Sequence, residues 1–296
     1  MSPKRALKTL ATALMVLVLS GACTAQQHDM AADSTLFAAD LWQRDTLQGF
    51  YFYQRHFGQG ELFGAAQHIF VVDIPASSKR KLAFVADSAA REVSAFATQS
   101  EAFASINGSF FDMQTHLPIC FLRIDGHQWG ENTPQASDTI NRKYYQYATI
   151  VLRNGRPQLL TPDSNRLWEN ALTDSNVMTA GPMLLTDGAI VPQRSDRTFA
   201  ANRHNRTALG LRDDGSMVLL VADGRWRNVA EGLTLTELAH VMRWLGCRNA
   251  INLDGGGSST MWVDGQCETG VVNYPTDNNV HDHTGERPVS NAIIVR

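Results

Sequence analysis

Three glycine-terminated turns between apolar runs restrict this chain more than any other feature. Asn154-Gly155 lies between Tyr147–Arg153 and Arg156–Leu160, and Asp187-Gly188 between Met178–Leu185 and Ala189–Val191. Asp213-Asp214-Gly215 lies between Thr207–Leu211 and Met217–Ala222. Such pairs signal β-hairpins, because the tight turn needs positive φ, which Gly, Asn and Asp tolerate. Hairpins in series make antiparallel pairing the dominant arrangement. His68–Ile74, Lys81–Val85 and Ser290–Val295 read as further strands, the first two joined by a turn at Pro75–Ser78. The aromatic run Phe50-Tyr-Phe-Tyr53 reads as a first strand of the fold. Gly181-Pro182, inside the 178–185 run, should bulge or end that strand, since Pro cannot donate to a ladder.

Helical signals are fewer. Leu235, Leu238, Ala239, Met242 and Leu245 recur at helical spacing, Thr234 and Glu237 form a capping-box pattern, and Gly246 suits the far end. Thr98–Glu101 repeats the capping-box spacing and predicts a short helix from Ala102, feeding the apolar segment Ala104–Ile106. The expectation is an α+β fold: a largely antiparallel or mixed β-sheet with a few packed helices, in a single domain over residues 35–296.

Residues 1–22 read as an export signal of lipoprotein type. Lys4, Arg5 and Lys8 precede the apolar stretch Leu10–Leu19, and Leu19-Ser-Gly-Ala-Cys23 resembles a bacterial lipoprotein box. Ser20 departs from that pattern, and cleavage after Ala25 is the alternative. The expected localisation is the bacterial cell envelope, periplasm or cell surface, with the membrane contacted through lipid on Cys23 and residues 23–34 as a polar tether. Beyond the N-terminus no apolar run reaches bilayer length. A net charge of -3 supplies no basic field for nucleic acid, so no such partner is expected. Cys120, Cys247 and Cys267 read as small buried residues, with a Cys247–Cys267 disulfide the alternative.

The polar residues of interest sit where strands end. Asn252-Leu-Asp-Gly-Gly-Gly-Ser-Ser-Thr260 follows the capped helix and a short strand, Ala250–Leu253, and precedes another, Ser259–Val263. Asp-Gly alone reads as a hairpin turn, but three glycines followed by Ser-Ser-Thr exceed what a hairpin needs and expose backbone N–H groups. Asn107-Gly108-Ser109-Phe110-Phe111-Asp112 repeats the arrangement after Ala104–Ile106. With Arg206, Asp223 and Arg225 these residues combine guanidinium groups, suited to an anion, with carboxylates able to move protons. Asp112, Asp223 and Asp254 are also candidate oxygen ligands for a divalent cation, Ca²⁺ or Mg²⁺. His281-Asp-His283 reads as a hydrated loop, with a metal pair as the alternative. Phe50–Tyr53, Trp129 and Trp262 suit either sugar stacking or core packing. Gly-x-Ser-x-Gly, His-Glu-x-x-His and Gly-Lys-Ser/Thr signatures are absent from the sequence.

Seven segments in order resemble the phosphodiester glycosidase domain family, which includes the uncovering enzyme and many exported bacterial proteins. They are Ile106-Asn-Gly-Ser-Phe-Phe111, Ala180-Gly-Pro-Met-Leu184, Arg206-Thr-Ala-Leu-Gly210, Asp223-Gly-Arg225, Gly232-Leu-Thr-Leu-Thr-Glu-Leu-Ala239, Asn252-Leu-Asp-Gly-Gly-Gly-Ser258 and Glu286-Arg-Pro-Val-Ser-Asn291. The resemblance implies hydrolysis of a sugar-1-phosphodiester in a phosphate-linked glycan, releasing the sugar with no cofactor required. It implies that Arg206 and Arg225 hold the phosphodiester, helped by amides of Gly255–Gly257. Asp254 or Asp112 would act as base or nucleophile, and Asp223 as acid or orienting partner. Asn107 and Asn252 would bind sugar hydroxyls or fix the carboxylates. Gly108, Gly181, Gly255, Gly256, Ser258, Arg287 and Asn291 would complete the substrate site. The family often has His-Pro before the motif's Arg, whereas this chain has His204-Asn205, which leaves the role of His204 open. The competing function is a carbohydrate-binding or exopolysaccharide-assembly lipoprotein without turnover; the intact Asp and Arg set favours the enzyme.

Overall fold

The structure is a computed structural model that describes residues 29–132, 143–162, 168–193 and 198–296. Strands β1 to β6 are Gln43–Leu47, Phe50–Leu62, Ala65–Ile74, Leu82–Arg91, Ala104–Asn107 and Leu122–Ile124. Strands β7 to β12 are His127–Gly130, Ala148–Arg153, Arg156–Leu160, Val177–Ala180, Met183–Thr186 and Ala189–Ile190. Strands β13 to β17 are Arg206–Leu211, Met217–Ala222, Asn249–Asn252, Met261–Val263 and Val289–Val295. Helices α1 to α4 are Met30–Ala38, Val93–Gln99, Thr198–Ala201 and Leu235–Trp244.

The strands form an eight-stranded sheet in the order β1-β2-β3-β14-β13-β15-β11-β12, a five-stranded sheet β7-β6-β10-β8-β9 and a four-stranded sheet β16-β5-β17-β4. Their pairings are antiparallel. The two smaller sheets pack on one face of the large one, and α1 and α4 pack on its other face. Strand β14 shows why the sequence builds this. Met217, Leu219 and Val221 point into the core between sheets, and Val218, Leu220 and Ala222 point into the core under the helices. A strand buried on both faces must be apolar throughout, and period-2 alternation then divides its residues between two cores. Helix α4 answers with Leu235, Leu238, Ala239 and Met242 buried, and its capping box is formed by Thr234 and Glu237. Helix α2 covers the outer face of the four-stranded sheet with Val93, Phe96 and Ala97.

The three expected hairpins are present, and at the first of them Asn154 and Gly155 both take positive φ, 53° and 75°. Other expectations differ in placement. The turn at Pro75–Ser78 does not join two partners: β3 belongs to the large sheet and β4 to the four-stranded one. At Gly181-Pro182 the chain likewise leaves the five-stranded sheet for the large sheet, so the Gly-Pro pair ends one strand and starts another elsewhere. Thr98–Glu101 closes a helix rather than opening one. The Thr98 hydroxyl donates to Ser94 O at 2.8 Å, and Glu101 takes φ 50° beyond the helix end. Among the described residues the first regular element is α1, which begins inside the segment read as tether, because Asp29 caps it through Ala31 N and Ala32 N and Phe37 is buried. Signal, lipidation site and the rest of the tether lie outside the described residues, as does the loop over residues 133–142.

The start of β13, the ends of β14, β15 and β5, and the starts of β16 and β17 all fall at one end of this sandwich, as their antiparallel registers require. That end carries the candidate site. Leu219 is fully buried between the sheets, so Leu219→Ala should lower stability by about 2–5 kcal/mol through lost burial and a residual cavity. Urea unfolding monitored by circular dichroism should show this as a lower midpoint.

Candidate active site

The glycine-rich stretch is not a hairpin. It carries the chain from β15 in the large sheet to β16 in the four-stranded sheet, and is held by buried groups on both sides. Asn107, at the end of β5, donates from Nδ2 to Asp254 O at 2.7 Å. Its Oδ1 accepts from Thr207 Oγ1 at 2.8 Å and from Thr260 N at 3.2 Å. Asp254 N donates to Gly108 O at 3.1 Å, Leu253 N to Thr207 O at 2.8 Å, and Gly256 N to Asn205 O at 2.9 Å. Gly256 takes φ 62°. A side chain there would also press on Arg225, whose Nη2 lies 2.8 Å from the added Cβ. Glycine is what the turn and the close approach demand.

Asp254 keeps some solvent exposure yet is set among dense protein. Burial therefore raises its carboxyl to about 6, against the smaller lowering influences of Ser258, the Gly255 amide and Arg287. Gly255 N donates to its Oδ1 at 2.9 Å. The Ser258 hydroxyl is buried without a hydrogen bond of good geometry, although it is close enough to pull on the Asp254 carboxyl. Two cations border the glycine loop, of which Arg287 acts on the Asp254 carboxyl. The Arg225 side chain is exposed and lies against Gly256, with Nη1 3.5 Å from Thr276 Oγ1. Arg287 lies against Gly257 and pairs with Asp277 at 2.6 Å. Asp277 also faces Gly257, where an added Cβ would lie 2.6 Å from its Oδ1. The sequence offers no motif for Asp277, because it sits in a polar loop like many others; only the fold brings it to the glycines.

Other expected site residues are placed differently. Arg206 is 1% exposed and faces the helix layer, not the glycine loop. Its guanidinium donates to the carbonyls of Leu233, Phe199 and Asn202 at 2.7–2.9 Å, lies over the Phe199 ring, and burial lowers its pKa to about 10. It stitches chain segments and is not placed to hold an anion. Asp112 caps its own turn through Thr115 N and Gln114 N, and those amides lower its pKa. Asp223 is fully buried and accepts from Tyr274 N at 3.0 Å and Asn273 Nδ2 at 2.9 Å. Burial pushes it up to about 7. It orients the 273–274 backbone and has no exposed oxygen for a substrate.

Asn252 donates to Gly181 O and Leu253 O, so both act in the frame around Asp254. Asn291 Oδ1 accepts from Ser109 N at 2.7 Å and occupies the space that a side chain at Gly108 would need. Burial, then Arg206 and Arg225, lower the pKa of His204, which is half-buried. Thr207, Ser259 and Asn273 join this buried network without having been legible as site residues. Thr207 Oγ1 meets Ser259 Oγ at 3.2 Å, and Asn273 bonds Met261 N and Ser259 O. Among the described residues no group of three or more His, Cys, Asp or Glu could hold a metal ion. Asp112, Asp223 and Asp254 therefore do not come together as one such group. Cys120 and Cys247 are buried and free, whereas Cys267 is exposed, with Sγ 2.9 Å from Val271 O, and is not paired with Cys247. Phe50, Phe52 and Trp262 are core residues.

Residues 100–296 match the phosphodiester glycosidase family. The chain belongs to that family. A 72-residue stretch is 42% identical to mouse N-acetylglucosamine-1-phosphodiester alpha-N-acetylglucosaminidase, covering 24% of this chain and 13% of that enzyme. The human enzyme is 40% identical over 72 residues, again 24% of this chain and 13% of its own length. The match thus spans a small part of these relatives. Among solved structures, the zebrafish enzyme's catalytic domain, auto-inhibited by its pro-peptide, aligns with a TM-score of 0.63 at 18% identity over 86% of this chain and 87% of that one. A hypothetical protein from Synechocystis aligns with a TM-score of 0.58 at 18% identity, over 87% of this chain and 64% of that one. These alignments speak to a shared fold.

This member of the phosphodiester glycosidase family keeps the carboxyls of Asp223 and Asp254 above their ordinary range. A folded pKa raised above the unfolded value contributes stability below the unfolded pKa and loses it as pH rises through the folded one. For Asp223, raised to about 7, that window runs from about pH 4 to 7. The melting temperature of Asp223→Asn relative to wild type should therefore move upward as pH is raised from about 5 to 8, by the equivalent of a few kcal/mol. A difference that stays constant over that range contradicts the buried-carboxylate account.

Proposed function

We propose that this protein is a hydrolase that cleaves a sugar-1-phosphodiester and releases the sugar from a phosphate-linked glycan. The observation that carries this reading is Asp254: one partly exposed carboxyl, raised to about 6 by burial, on a glycine loop bordered by Arg225 and Arg287. A carboxyl with a pKa near neutrality has both protonation states populated, so it can take a proton from water or give one to a leaving oxygen. Arg225 and Arg287 supply charge-assisted donors for the phosphodiester and for the charge that develops as the bond breaks. Asn107 and Gly108 act behind Asp254, fixing its backbone. Asp277 is the second carboxylate at the glycines and holds Arg287 in place. Family membership supports the reaction class; the sugar and the group beyond the phosphate are left to experiment. Export and lipid attachment at Cys23 complete the proposal, placing the site at the cell envelope.

The test is release of free sugar from a panel of synthetic glycosyl phosphodiesters. Asp254→Asn should reduce kcat by about 10²–10⁴-fold, and Arg287→Ala by about 10²-fold. Arg206→Ala should act first on stability, because it removes a buried side chain that donates to the Leu233, Phe199 and Asn202 carbonyls. An Asp254→Asn protein that turns over at the wild-type rate would overturn the assignment. Binding of the phosphodiesters without any turnover across the panel would favour the carbohydrate-binding reading instead. Cys23→Ala should move the protein from the membrane fraction to the soluble fraction of its host, read by immunoblot after fractionation.

A further inference from the structure

Beside the glycine loop, a cluster of rings gathers on the segment that carries Arg287. Tyr274 stacks on His281 with centroids 4.2 Å apart and an interplanar angle of 4°, and meets His283 at 4.3 Å and His68 at 5.6 Å. His56 packs on His68 at 5.5 Å, and Trp226 stands edge-on to His281 at 5.2 Å. Polar contacts lock the rings to the backbone. Trp226 Nε1 donates to Tyr274 O at 3.3 Å, and His283 Nδ1 meets Asn273 O at 2.8 Å. Residues 273–288 contain neither helix nor strand, so the path of this segment depends on such side-chain contacts. Further along it, Thr276 meets Arg225, and Asp277 pairs with Arg287 against Gly257.

We propose that Tyr274, His281 and His283 are positioning residues that clasp the segment 273–287 and so hold Arg287 at the glycine loop, and that acid opens this clasp by charging the imidazoles. The proposal rests on the hydrolase reading only in giving Arg287 an anion to hold. Imidazoles packed in one stack repel one another once charged, and the protein interior screens that repulsion less than water does. Burial holds the His281 pKa below its ordinary value, with His283 and His56 adding to the effect and Asp282 opposing it. Burial and the neighbouring His56, His281 and His283 hold His68 at about 3, so it stays neutral and shares no charge. The groups facing the stack are His56 from β2, His68 from β3, Asp223 from the turn after β14, Cys267 from the loop after β16, and Asp282 on the segment itself. Arg225 adds a positive charge nearby through Thr276. Asp282 is the carboxylate that faces His281, and its Oδ1 already accepts from Thr284 and Asn278.

Two readouts test this between about pH 7.5 and pH 5. The first is the Trp226 contribution to fluorescence, taken as wild type minus Trp226→Phe; the second is sulfate affinity by calorimetry, sulfate being an anion that does not titrate in this range. In the wild type, acid should shift the Trp226 emission to the red and weaken sulfate binding by about tenfold or more. In a His281→Gln/His283→Gln double variant the emission should not shift, and sulfate binding should hold steady or strengthen as Asp254 loses its charge. Absence of a fluorescence transition in the wild type, or tighter sulfate binding at low pH, would overturn the clasp, because simple accumulation of positive charge predicts tighter binding. A fluorescence transition with no sulfate binding at either pH would leave the clasp standing and remove the anion-holding role of Arg287.

Discussion

The site depends on one buried amide. Asn107 ends a strand of the four-stranded sheet, takes a hydrogen bond from Thr207 in the large sheet, and gives one to the backbone of Asp254. Away from this end the two sheets meet through the apolar core between them, a contact that is strong but not directional. A side-chain amide with both ends engaged adds direction: it fixes the register of one sheet end against the other to within hydrogen-bond tolerance. Asp254, on the loop that crosses between the sheets, inherits that register. Asn291 and Gly108 extend the same logic, since the Asn291 carboxamide fills the volume that any side chain at position 108 would occupy.

This polar layer runs against the stability of the fold. Asp223, Asn273, Ser259 and Thr207 are fully buried, and a buried carboxyl pushed to about 7 costs folding energy whenever it is ionised. An apolar layer at this position would cost nothing comparable and would pack as well. What the polar residues add is control over backbone outside regular structure. Asp223 holds Tyr274, and through it a long segment that has no ladder of its own. Groups kept at a cost to stability, at the one end of the sandwich where strands stop together, are what a site built for chemistry requires.

The sheet pattern was largely legible in the sequence, because hairpin turns and two-face burial leave local marks: Asn154-Gly155, the wholly apolar Met217–Ala222 and the capping box at Thr234 each act through neighbours in the chain. Which sheet a strand joins was not legible. The Pro75–Ser78 turn and the Gly181-Pro182 break look like ordinary punctuation, and only packing decides that they are crossings between sheets. The same division governs the site. Asp254 and its glycines were readable, since glycine in excess of turn chemistry has few other causes. Arg206 misled because alternation along β13 cannot be phased from sequence alone: Thr207 faces Asn107, so its neighbour must face the helices. Asp277 carried no local signal at all.

The displacement of Arg206 from the anion role changes how the chemistry is divided. A phosphodiester needs cations that meet it from the solvent side, and Arg225 and Arg287 are the pair at the glycine loop. Neither is held by a ladder. Arg225 follows the end of β14 with φ 66°, a conformation that costs a non-glycine residue energy and persists only where the surroundings impose it. Arg287 is held by Asp277 on the segment that Asp223 and the Tyr274 stack secure. The rigid part of the fold thus places the carboxyl, and irregular segments pinned by buried side chains place the cations. On the proposed reading, rate and specificity would then be set separately: the strand ends would govern proton transfer, and the pinned segments would govern which anion can sit beside it.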